Sequence, residues 1–218
     1  MNSRRIVSNQ QGVHPKLREL LEKHRRTHYR KPIAGHTAQA FERLQQAISE
    51  HQRPLIFDSG CGTGESTITL AKRYPEHFVI GLDKSALRLR KAEGKIGAAG
   101  HVLFLRCDLF DLWRLAAQAG IVVDRHYLLY PNPWPRKEQV MRRYHGHPVF
   151  FDLLRLGRYF EMRSNWKIYV DEFALAFYLA TGVRPEVSIW QAEEPISNFE
   201  KKYRNSGHDL YRLTVTLM

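Results

Sequence analysis

Residues 57–66 decide the fold, because the segment Phe-Asp-Ser-Gly-Cys-Gly-Thr-Gly-Glu-Ser joins a short apolar run to a helical pattern through three closely spaced glycines. Glycine reaches positive φ at little cost, and without a side chain its backbone can approach a ligand closely. In an open α/β sheet, ligands bind at the carboxyl ends of the strands. The segment therefore predicts a strand, a ligand-binding turn and a helix, in that order.

The same alternation continues along the chain. Short apolar runs that indicate buried strands occur at Leu55–Asp58, Phe78–Leu82, Val102–Leu105 and His126–Tyr130. The stretches between them have the apolar spacing of helices, at Thr67–Tyr74, Ser85–Ile96 and Leu109–Gln118. Strands that recur after helical crossovers indicate a parallel sheet covered on both faces. We therefore predict a doubly wound α/β fold.

Two segments flank this predicted sheet. Beyond an irregular basic stretch at residues 131–147, the pattern predicts a helix from about Pro148, a strand at Trp166–Val170, a helix at Asp171–Ala180 and closing strands at Glu186–Trp190 and Leu210–Leu217. Upstream, one helix is predicted from Pro15, and a second from Thr37, whose hydroxyl can cap it. We divide the chain into a basic N-terminal arm and helix at residues 1–35 and one domain at residues 36–218.

Charge and composition narrow the class of protein. The 218 residues include 34 Lys or Arg and 22 Asp or Glu, a formal net charge of +12, and 43% are hydrophobic. Such a composition is typical of a globular protein, and the positive excess favours a polyanion such as nucleic acid. In the arm, Arg25, Arg26, Arg30 and Lys31 are predicted to contact phosphates.

Several other classes of protein are excluded by what the sequence does not contain. No apolar run approaches the ~18 residues that a membrane span needs, so no membrane association is expected. Two cysteines supply neither a disulfide framework nor a zinc site, and no metal site is predicted. A reducing, cytoplasmic location is therefore expected.

Three classes of cofactor use glycine-rich turns of this kind. A phosphate-binding nucleotide loop needs Lys and then Ser or Thr after its last glycine, but Glu65 occupies the Lys position. A dinucleotide site needs a further glycine at that same position, where the carboxylate of Glu65 would repel a pyrophosphate. What remains is a Gly-x-Gly-x-Gly turn preceded by Asp58, the pattern of S-adenosylmethionine-dependent methyltransferases.

Two acidic residues follow at the ends of the next two predicted strands. Asp83 lies where one carboxylate can accept hydrogen bonds from both ribose hydroxyls, and Asp108 lies where a carboxylate can accept from the adenine amino group. The carboxyl ends of parallel strands meet at one edge of a sheet. We therefore predict that Asp58, Gly60, Gly62, Asp83 and Asp108 bind S-adenosylmethionine.

The fourth predicted strand ends in Tyr-Pro-Asn-Pro-Trp-Pro-Arg-Lys at residues 130–137. In this kind of fold that strand end faces the transferred methyl group, so Asn132 is a candidate for both cofactor binding and catalysis. Trp134 offers a face on which a base can stack, and Arg136, Arg142 and Arg143 suit RNA phosphates.

These motifs together resemble the bacterial tRNA (guanine-N7)-methyltransferase family, which modifies a guanine in the variable loop of tRNA. The family's fourth-strand signature is Phe-Pro-Asp-Pro-Trp, and residues 130–134 read Tyr-Pro-Asn-Pro-Trp. Its C-terminal Thr-x-Phe-Glu-x-Lys/Arg motif is matched by Ser-Asn-Phe-Glu-Lys-Lys at residues 197–202. The Asp of a Thr-Asp-type turn after the fifth strand is assigned to Asp171. The resemblance extends from about residue 54 to the end, and Asn132 in place of Asp marks a divergent member.

The resemblance implies a Rossmann-like methyltransferase fold whose seven-stranded sheet is mostly parallel with an antiparallel last strand. It implies S-adenosylmethionine as the cofactor, and tRNA or another structured RNA as the partner. The residues expected at the guanine or nearby RNA are Trp134, Arg136, Asp171, Ser197, Asn198, Phe199, Glu200 and Lys202. Because Asn132 lacks a charge, Asp171 and Glu200 are expected to accept from the guanine edge, and these three form the predicted catalytic set.

Two other functions stay open. Asn-Pro-Pro-Tyr/Phe at this strand end is typical of methyltransferases of exocyclic or amide nitrogens, and residues 132–135, Asn-Pro-Trp-Pro, match it in part. The change to Asn132, together with the basic arm, also fits a catalytically weak or inactive RNA-binding homologue. Guanine N7 already carries a lone pair, so in-line transfer requires positioning rather than a base. We therefore predict an S-adenosylmethionine-dependent RNA methyltransferase that acts on guanine N7 of tRNA.

Overall fold

The sheet is built from short apolar segments that are buried on both sides. The structure, a computed structural model, describes residues 3–97, 100–191 and 193–217. The strands in these residues are β1 (Leu55–Ser59), β2 (Phe78–Asp83), β3 (Val102–Arg106), β4 (Val123–Leu129), β5 (Gly157–Ser164), β6 (Glu186–Ile189) and β7 (Tyr211–Thr216). Every residue of β1 and β2 is buried, as expected for strands that helices cover on both faces.

Helices connect these strands and cover both faces. They are α1 (Leu17–Arg25), α2 (Gly35–His51), α3 (Glu65–Arg73), α4 (Ala86–Glu93), α5 (Leu109–Gln118), α6 (Phe150–Leu156), α7 (Lys167–Thr181) and α8 (Asn198–Asn205). Two short 3-10 helices, Lys137–Arg142 and Tyr144–Gly146, lie in the loop after β4. Within the described part of the chain, each helix is too short or too polar to cross a membrane.

The strand order in the sheet is β3-β2-β1-β4-β5-β7-β6. The strands β1 to β5 pair in parallel, while β7 runs antiparallel to both of its neighbours, β5 and β6. The strands β2 and β3 lie on one side of β1, and β4 lies on the other, so the order in which strands are added reverses between β1 and β4. Ligands bind at such switch points of open α/β sheets. The predicted doubly wound, mostly parallel seven-stranded sheet with an antiparallel last strand is confirmed.

Two apolar layers cover the sheet. One includes α1, α2, α5, α6 and α7 around the buried Trp113, and the other lies under α3 and α4 around the buried Leu70. Helix α1 contributes Leu17 and Leu21 to the first layer, and both side chains are buried. The helix of the basic arm is therefore packed on the sheet domain, and the boundary between residues 1–35 and 36–218 stays a prediction.

The predicted strand at Trp166–Val170 is wrong, because these residues lead into α7 and the fifth strand is β5. Aromatic and β-branched residues favour a strand locally. Buried side chains nevertheless recur at positions 166, 169, 170 and 173, which is helical spacing. The true strand carries Glu161 and Arg163, which are buried as an ion pair, so it lacks the apolar run that predicts a buried strand.

Helix α2 begins at Gly35, earlier than predicted, and Thr37 does not cap it. Thr37 is buried in the first turn, where its Oγ1 accepts a hydrogen bond from the backbone N–H of Asp108 at 3.0 Å. The start of α2 is thereby bonded to the residue that precedes α5, at the carboxyl edge of the sheet.

Candidate active site

The glycine turn joins β1 to α3 at the carboxyl edge of the sheet. Gly60, Gly62 and Gly64 have φ values of +80°, +60° and +82°, a region that favours glycine. The backbone N–H groups of Gly60 and Cys61 donate to the carbonyl oxygen of Leu82 at 2.7 and 3.0 Å. The turn is therefore fixed to the neighbouring strand β2.

The three glycines have different structural roles. A Cβ atom added at Gly60 or Gly62 would meet no atom of the described residues within 4 Å, so space is open beside both. A Cβ atom at Gly64 would lie 2.7 Å from Ala92 Cβ and from the ring of Phe104. Gly60 and Gly62 therefore leave room for a ligand, whereas Gly64 allows α3 to pack closely on α4 and β3.

Asp58 lies buried at the end of β1, beneath the turn. Its Oδ2 accepts hydrogen bonds from the hydroxyls of Ser66 at 2.6 Å and Thr67 at 2.7 Å, both in the first turn of α3. Its Oδ1 is buried and has no hydrogen-bond partner within residues 3–97, 100–191 and 193–217. Burial, opposed by the two hydroxyls and reinforced by Asp83, raises the pKa of Asp58 to about 6. The open oxygen calls for a ligand that donates a hydrogen bond.

Two further carboxylates lie at the ends of the adjacent strands β2 and β3. Asp83 accepts from the backbone N–H of Gly62 at 3.0 Å and from that of Ser85 at 2.8 Å, which orients its carboxylate at the glycine turn. Asp108 caps α5 by accepting from the N–H of Phe110 at 3.0 Å. Neighbouring strand ends therefore bring Asp58, Asp83 and Asp108 to one edge of the sheet, as the sequence predicted.

The segment after β4 has an unusual backbone. Tyr130 and Trp134 adopt φ values of +50° and +46°, which are strained for residues with a side chain. Asn132 between them is exposed, and Trp134 is half-buried with the Arg142 guanidinium 4.9 Å from its ring centroid. Because β1 pairs with β4 up to Leu128, this segment leaves the sheet beside the glycine turn.

Not every cation predicted at this edge lies on the surface. Arg136 and Arg142 are exposed, but Arg143 is completely buried and donates to the carbonyl oxygens of Trp134 and Arg136 at 3.0 to 3.1 Å. The prediction that Arg143 contacts RNA phosphates is therefore wrong. A cation in a basic stretch resembles a surface position in sequence, but Gln10 and Glu172, whose side chains bond to Arg143, lie 133 and 29 positions away in the chain.

The C-terminal motif forms the start of α8. Ser197 is the N-cap residue, and its hydroxyl accepts from the backbone N–H of Glu200 at 3.2 Å. Asn198 and Lys202 are exposed, and the Phe199 side chain is 43% exposed, which leaves an aromatic ring open to a partner. Four of the five predicted contact residues in this motif are thus accessible or in the cap.

Glu200 is buried and fully bonded inside the protein. Its carboxylate accepts from Arg163 Nη1 at 2.9 and 3.1 Å, from the backbone N–H of Ile196 at 2.9 Å and from the indole N–H of Trp190. Arg163 also donates to Glu161 at 2.7 Å, and its guanidinium lies 4.1 Å from the ring centroid of Trp190. This cluster joins β5 to α8.

Asp171 does not occupy a turn after the fifth strand, so that part of its prediction is wrong. It lies in α7, where Lys167 Nζ donates to its two carboxylate oxygens at 2.7 and 2.8 Å. The turn that follows β5 consists of Asn165 and Trp166. Asn165 was not predicted as a site residue, because the sequence indicates the fifth strand at Trp166–Val170. Its side chain lies 2.9 Å from His208 Nδ1.

The fold and the site together define the class of protein, a Rossmann-like α/β domain whose glycine turn and strand-end carboxylates suit a nucleoside cofactor. The chain belongs to the family described as "Putative methyltransferase", whose model matches residues 52–213.

Relatives of known name support this assignment. The chain is 27% identical over 178 residues to a tRNA (guanine-N(7)-)-methyltransferase of Pseudomonas aeruginosa, covering 77% of this chain and 72% of that protein. It is 25% identical over 169 residues to the enzyme of the same name from Saccharophagus degradans, covering 72% and 73%. The resemblance to this group of enzymes, seen first in the motifs, is confirmed.

Solved structures share the fold. The 16S rRNA methyltransferase KamB superposes with a TM-score of 0.58 at 18% identity, covering 86% of this chain and 95% of that one. A 16S rRNA (adenine(1408)-N(1))-methyltransferase from Catenulisporales acidiphilia, crystallised with S-adenosylmethionine, gives 0.54 at 16% identity, covering 82% and 91%. At these identities the likeness concerns the fold alone.

The chain belongs to a family of methyltransferases, and its own residues fit S-adenosylmethionine as the cofactor. The space beside Gly60 and Gly62 admits a ligand against the backbone, and Asp58 Oδ1 is a buried acceptor without a described partner. Asp83 and Asp108 are further acceptors that would suit a ribose and an adenine amino group. When bound, the cofactor supplies a methyl group activated on a sulfonium.

Proposed function

We propose that the protein transfers a methyl group to N7 of a guanine in tRNA. The observation that carries the proposal is the segment after β4, where exposed Asn132 and half-buried Trp134 leave the sheet beside the glycine turn. The curated relatives are named for this reaction, and the chain covers more than two thirds of each reported relative. Asn132 in place of the Asp of the family signature makes the assignment worth testing directly.

The chemistry asks mainly for positioning. Guanine N7 has a lone pair in the ring plane, so transfer does not require a residue that removes a proton from the nucleophile. The protein has to hold the base in line with the methyl group and to exclude water. In this proposal Trp134 stacks on the base, and the carboxamide oxygen of Asn132 accepts a hydrogen bond from the amino edge of guanine.

In this proposal Glu200 and Asp171 do not accept from the guanine edge, contrary to the prediction from the sequence, because both carboxylates are bonded to other residues of the protein. Glu200 is bonded to Arg163, Trp190 and Ile196, so it holds the start of α8 against β5 rather than touching the base. Asp171 is paired with Lys167 on the surface of α7. We define the mouth of the site as the surface formed by the glycine turn, the segment after β4 and the start of α8. Its exposed side chains Arg136, Asn198, Phe199 and Lys202 are the ones we propose for RNA contact.

The test is methyl transfer from S-adenosylmethionine to unmodified tRNA, followed by mass spectrometry of the nucleosides. Wild type should yield 7-methylguanosine. Asn132→Asp should raise kcat/KM by about tenfold, because a charge-assisted hydrogen bond to the guanine edge is worth roughly 1.5–3 kcal/mol. Asn132→Ala should lower it, and a product other than 7-methylguanosine would refute the proposal.

A second reaction is favoured by the amide itself. An exposed Asn at this strand end can accept a hydrogen bond from an amino group, and so could orient an exocyclic nitrogen for methylation. In that case Asn132→Asp loses activity, and the product is methylated on the amino group. Binding of S-adenosylmethionine without turnover of any RNA would instead support an RNA-binding homologue.

A further inference from the structure

An N-terminal segment without helix or strand, residues 3–14, is bonded both to the segment after β4 and to the residues just after α8. We call it the N-terminal strap. At one end, the Ser3 backbone N–H donates to Ser206 Oγ at 2.8 Å, and the Ser3 carbonyl lies 3.0 Å from His208 Nε2, just after α8. Farther along, Ser8 Oγ donates to the Pro135 carbonyl at 2.5 Å.

Asn9 joins the strap to the beginning of the 3-10 helix after β4. Its side-chain carbonyl accepts from the Lys137 backbone N–H at 2.8 Å, and its amide group donates to Glu138 Oε1 at 3.3 Å. Ser8 and Asn9 of the strap are therefore bonded to residues 135–138, which directly follow Trp134.

Gln10 is buried between two charged side chains. Its Oε1 accepts from Arg143 Nη2 at 3.0 Å, and its Nε2 donates to the carboxylate of Glu172 in α7. Arg143 and Glu172 are themselves completely buried and bonded to each other at 2.5 Å. Although burial opposes it, His145 and Arg143 hold the pKa of Glu172 down at about 2, so the carboxylate stays ionised.

This network ends on the strained residue of the active site. Arg143 Nε and Nη2 donate to the carbonyl oxygen of Trp134 at 3.1 and 3.0 Å, and Trp134 has a φ of +46°. Backbone in this region persists only where its surroundings hold it. Gln10 fixes Arg143, and Arg143 fixes the peptide that carries the Trp134 ring.

We propose that Gln10, supported by Asn9, is a positioning residue for methyl transfer, because it sets the orientation of Trp134 and Asn132. The role rests on the proposed function for its kinetic consequence, but not for its structural one. It gives the N-terminal segment a task distinct from contact with phosphates, since the two residues concerned carry no charge.

The experiment compares Gln10→Met with Gln11→Met. Methionine keeps roughly the volume of glutamine but offers neither hydrogen bond, and Gln11 is the exposed neighbour. We expect Gln10→Met to lower kcat by about tenfold or more with little change in KM for tRNA, since a small misplacement can cost that much. Gln11→Met should behave as wild type.

Hydrogen exchange of residues 131–147 gives a readout that does not depend on activity. Exchange should accelerate in Gln10→Met and in Asn9→Ala, but not in Gln11→Met. Asn9 is exposed, so its variant should fold even if Gln10→Met does not. Equal exchange in all variants, or a change in KM alone, would overturn the proposal. Changed exchange in a protein that methylates no tRNA would retain the structural link and reject only the proposed reaction.

Discussion

Single residues in this site divide into those that face a ligand and those that hold other residues in place. Asn132 and Phe199 are exposed at the mouth, whereas Arg143 and Glu200 are buried and bonded on all sides. A sequence motif does not distinguish the two kinds, because a charged residue in a motif can be either exposed or buried. Only the partners, which lie far apart in the chain, separate the two roles.

Asp58 provides a prediction at this scale, because its pKa of about 6 in the folded protein lies above the ordinary value of 3.8. The folded state therefore binds this proton more tightly, and the associated stability is lost as pH rises through about 6. Without cofactor, Asp58→Asn should be more stable than wild type at about pH 8, by up to roughly 3 kcal/mol.

Urea denaturation at several pH values measures this difference. The advantage of Asp58→Asn should shrink as pH falls and vanish below about pH 4, where the wild-type carboxyl is protonated in both states. Asp108→Asn, at a carboxyl that is less buried, serves as the comparison. A stability difference that is constant with pH would contradict the assignment of the effect to this titration.

The contacts between the helices and strands around the glycine turn can be predicted from the sequence only in part. The glycine turn was predicted because three glycines in five residues are a local signal. The packing role of Gly64 was not predicted, because Ala92 and Phe104 approach Gly64 from other elements of the fold. The sequence predicts α3, α4 and β3 in this order along the chain, but it does not predict how closely these elements pack.

Gly64→Ala should therefore destabilise the fold more than Gly60→Ala. Both substitutions place a side chain at positive φ, but only Gly64→Ala adds a Cβ that would lie 2.7 Å from Ala92 and Phe104. We expect the free energy of unfolding to fall by about 3 kcal/mol for Gly64→Ala and by about 1 kcal/mol for Gly60→Ala. Chemical denaturation measures both values.

Calorimetric titration with S-adenosylmethionine completes that comparison. Gly60→Ala should weaken cofactor binding although it is more stable than Gly64→Ala, because its new side chain enters the space left for a ligand. Unfolding free energies that are the same for the two variants would show that the packing of α3 on α4 does not depend on Gly64.

Charge is best understood for the molecule as a whole. The sequence predicts basic patches in residues 1–31 and 125–144, but Arg143 of the second patch is buried, and its Arg125 lies between the rings of Tyr74 and Tyr159. Exposed cations also follow β2 at Lys84 and Arg88, outside both predicted patches. Positive charge therefore reaches the mouth from several elements.

The basic arm should contribute to tRNA binding through exposed cations rather than as a removable tail. Because Leu17 and Leu21 are part of the core, deleting residues 1–31 would damage the fold. Arg26→Gln with Arg30→Gln is a sharper change, and both residues are exposed. The slope of log binding constant against log salt should fall by about one for each phosphate that the variant no longer neutralises.

Lys72→Gln with Arg73→Gln is the matched control for that measurement. These exposed cations end α3, at the opposite edge of the sheet from the glycine turn. Filter binding of tRNA across a salt series should show an unchanged slope for the control. If the two double variants have the same slope, tRNA does not contact the arm at these arginines.

The sheet could be predicted because β1 to β4 are apolar runs between helical stretches, and the cofactor edge because its carboxylates follow successive strands. The strand β5 could not be predicted, because Glu161 and Arg163 are charged residues that are buried through an ion pair with each other and, for Arg163, a second one with Glu200. The N-terminal strap could not be predicted either, because Gln10 and its partner Arg143 are 133 positions apart in the sequence. Local patterns carry no record of such pairs.

The place of β7 between β5 and β6 also bears on how the chain is made. β5 and β6 leave the ribosome before the strand that joins them, so β5 spends that interval as an open edge. Open edges invite pairing with other chains, and inward-pointing charges discourage it. Glu161 and Arg163, the residues that make β5 hard to find in the sequence, would protect the nascent protein from aggregation during synthesis.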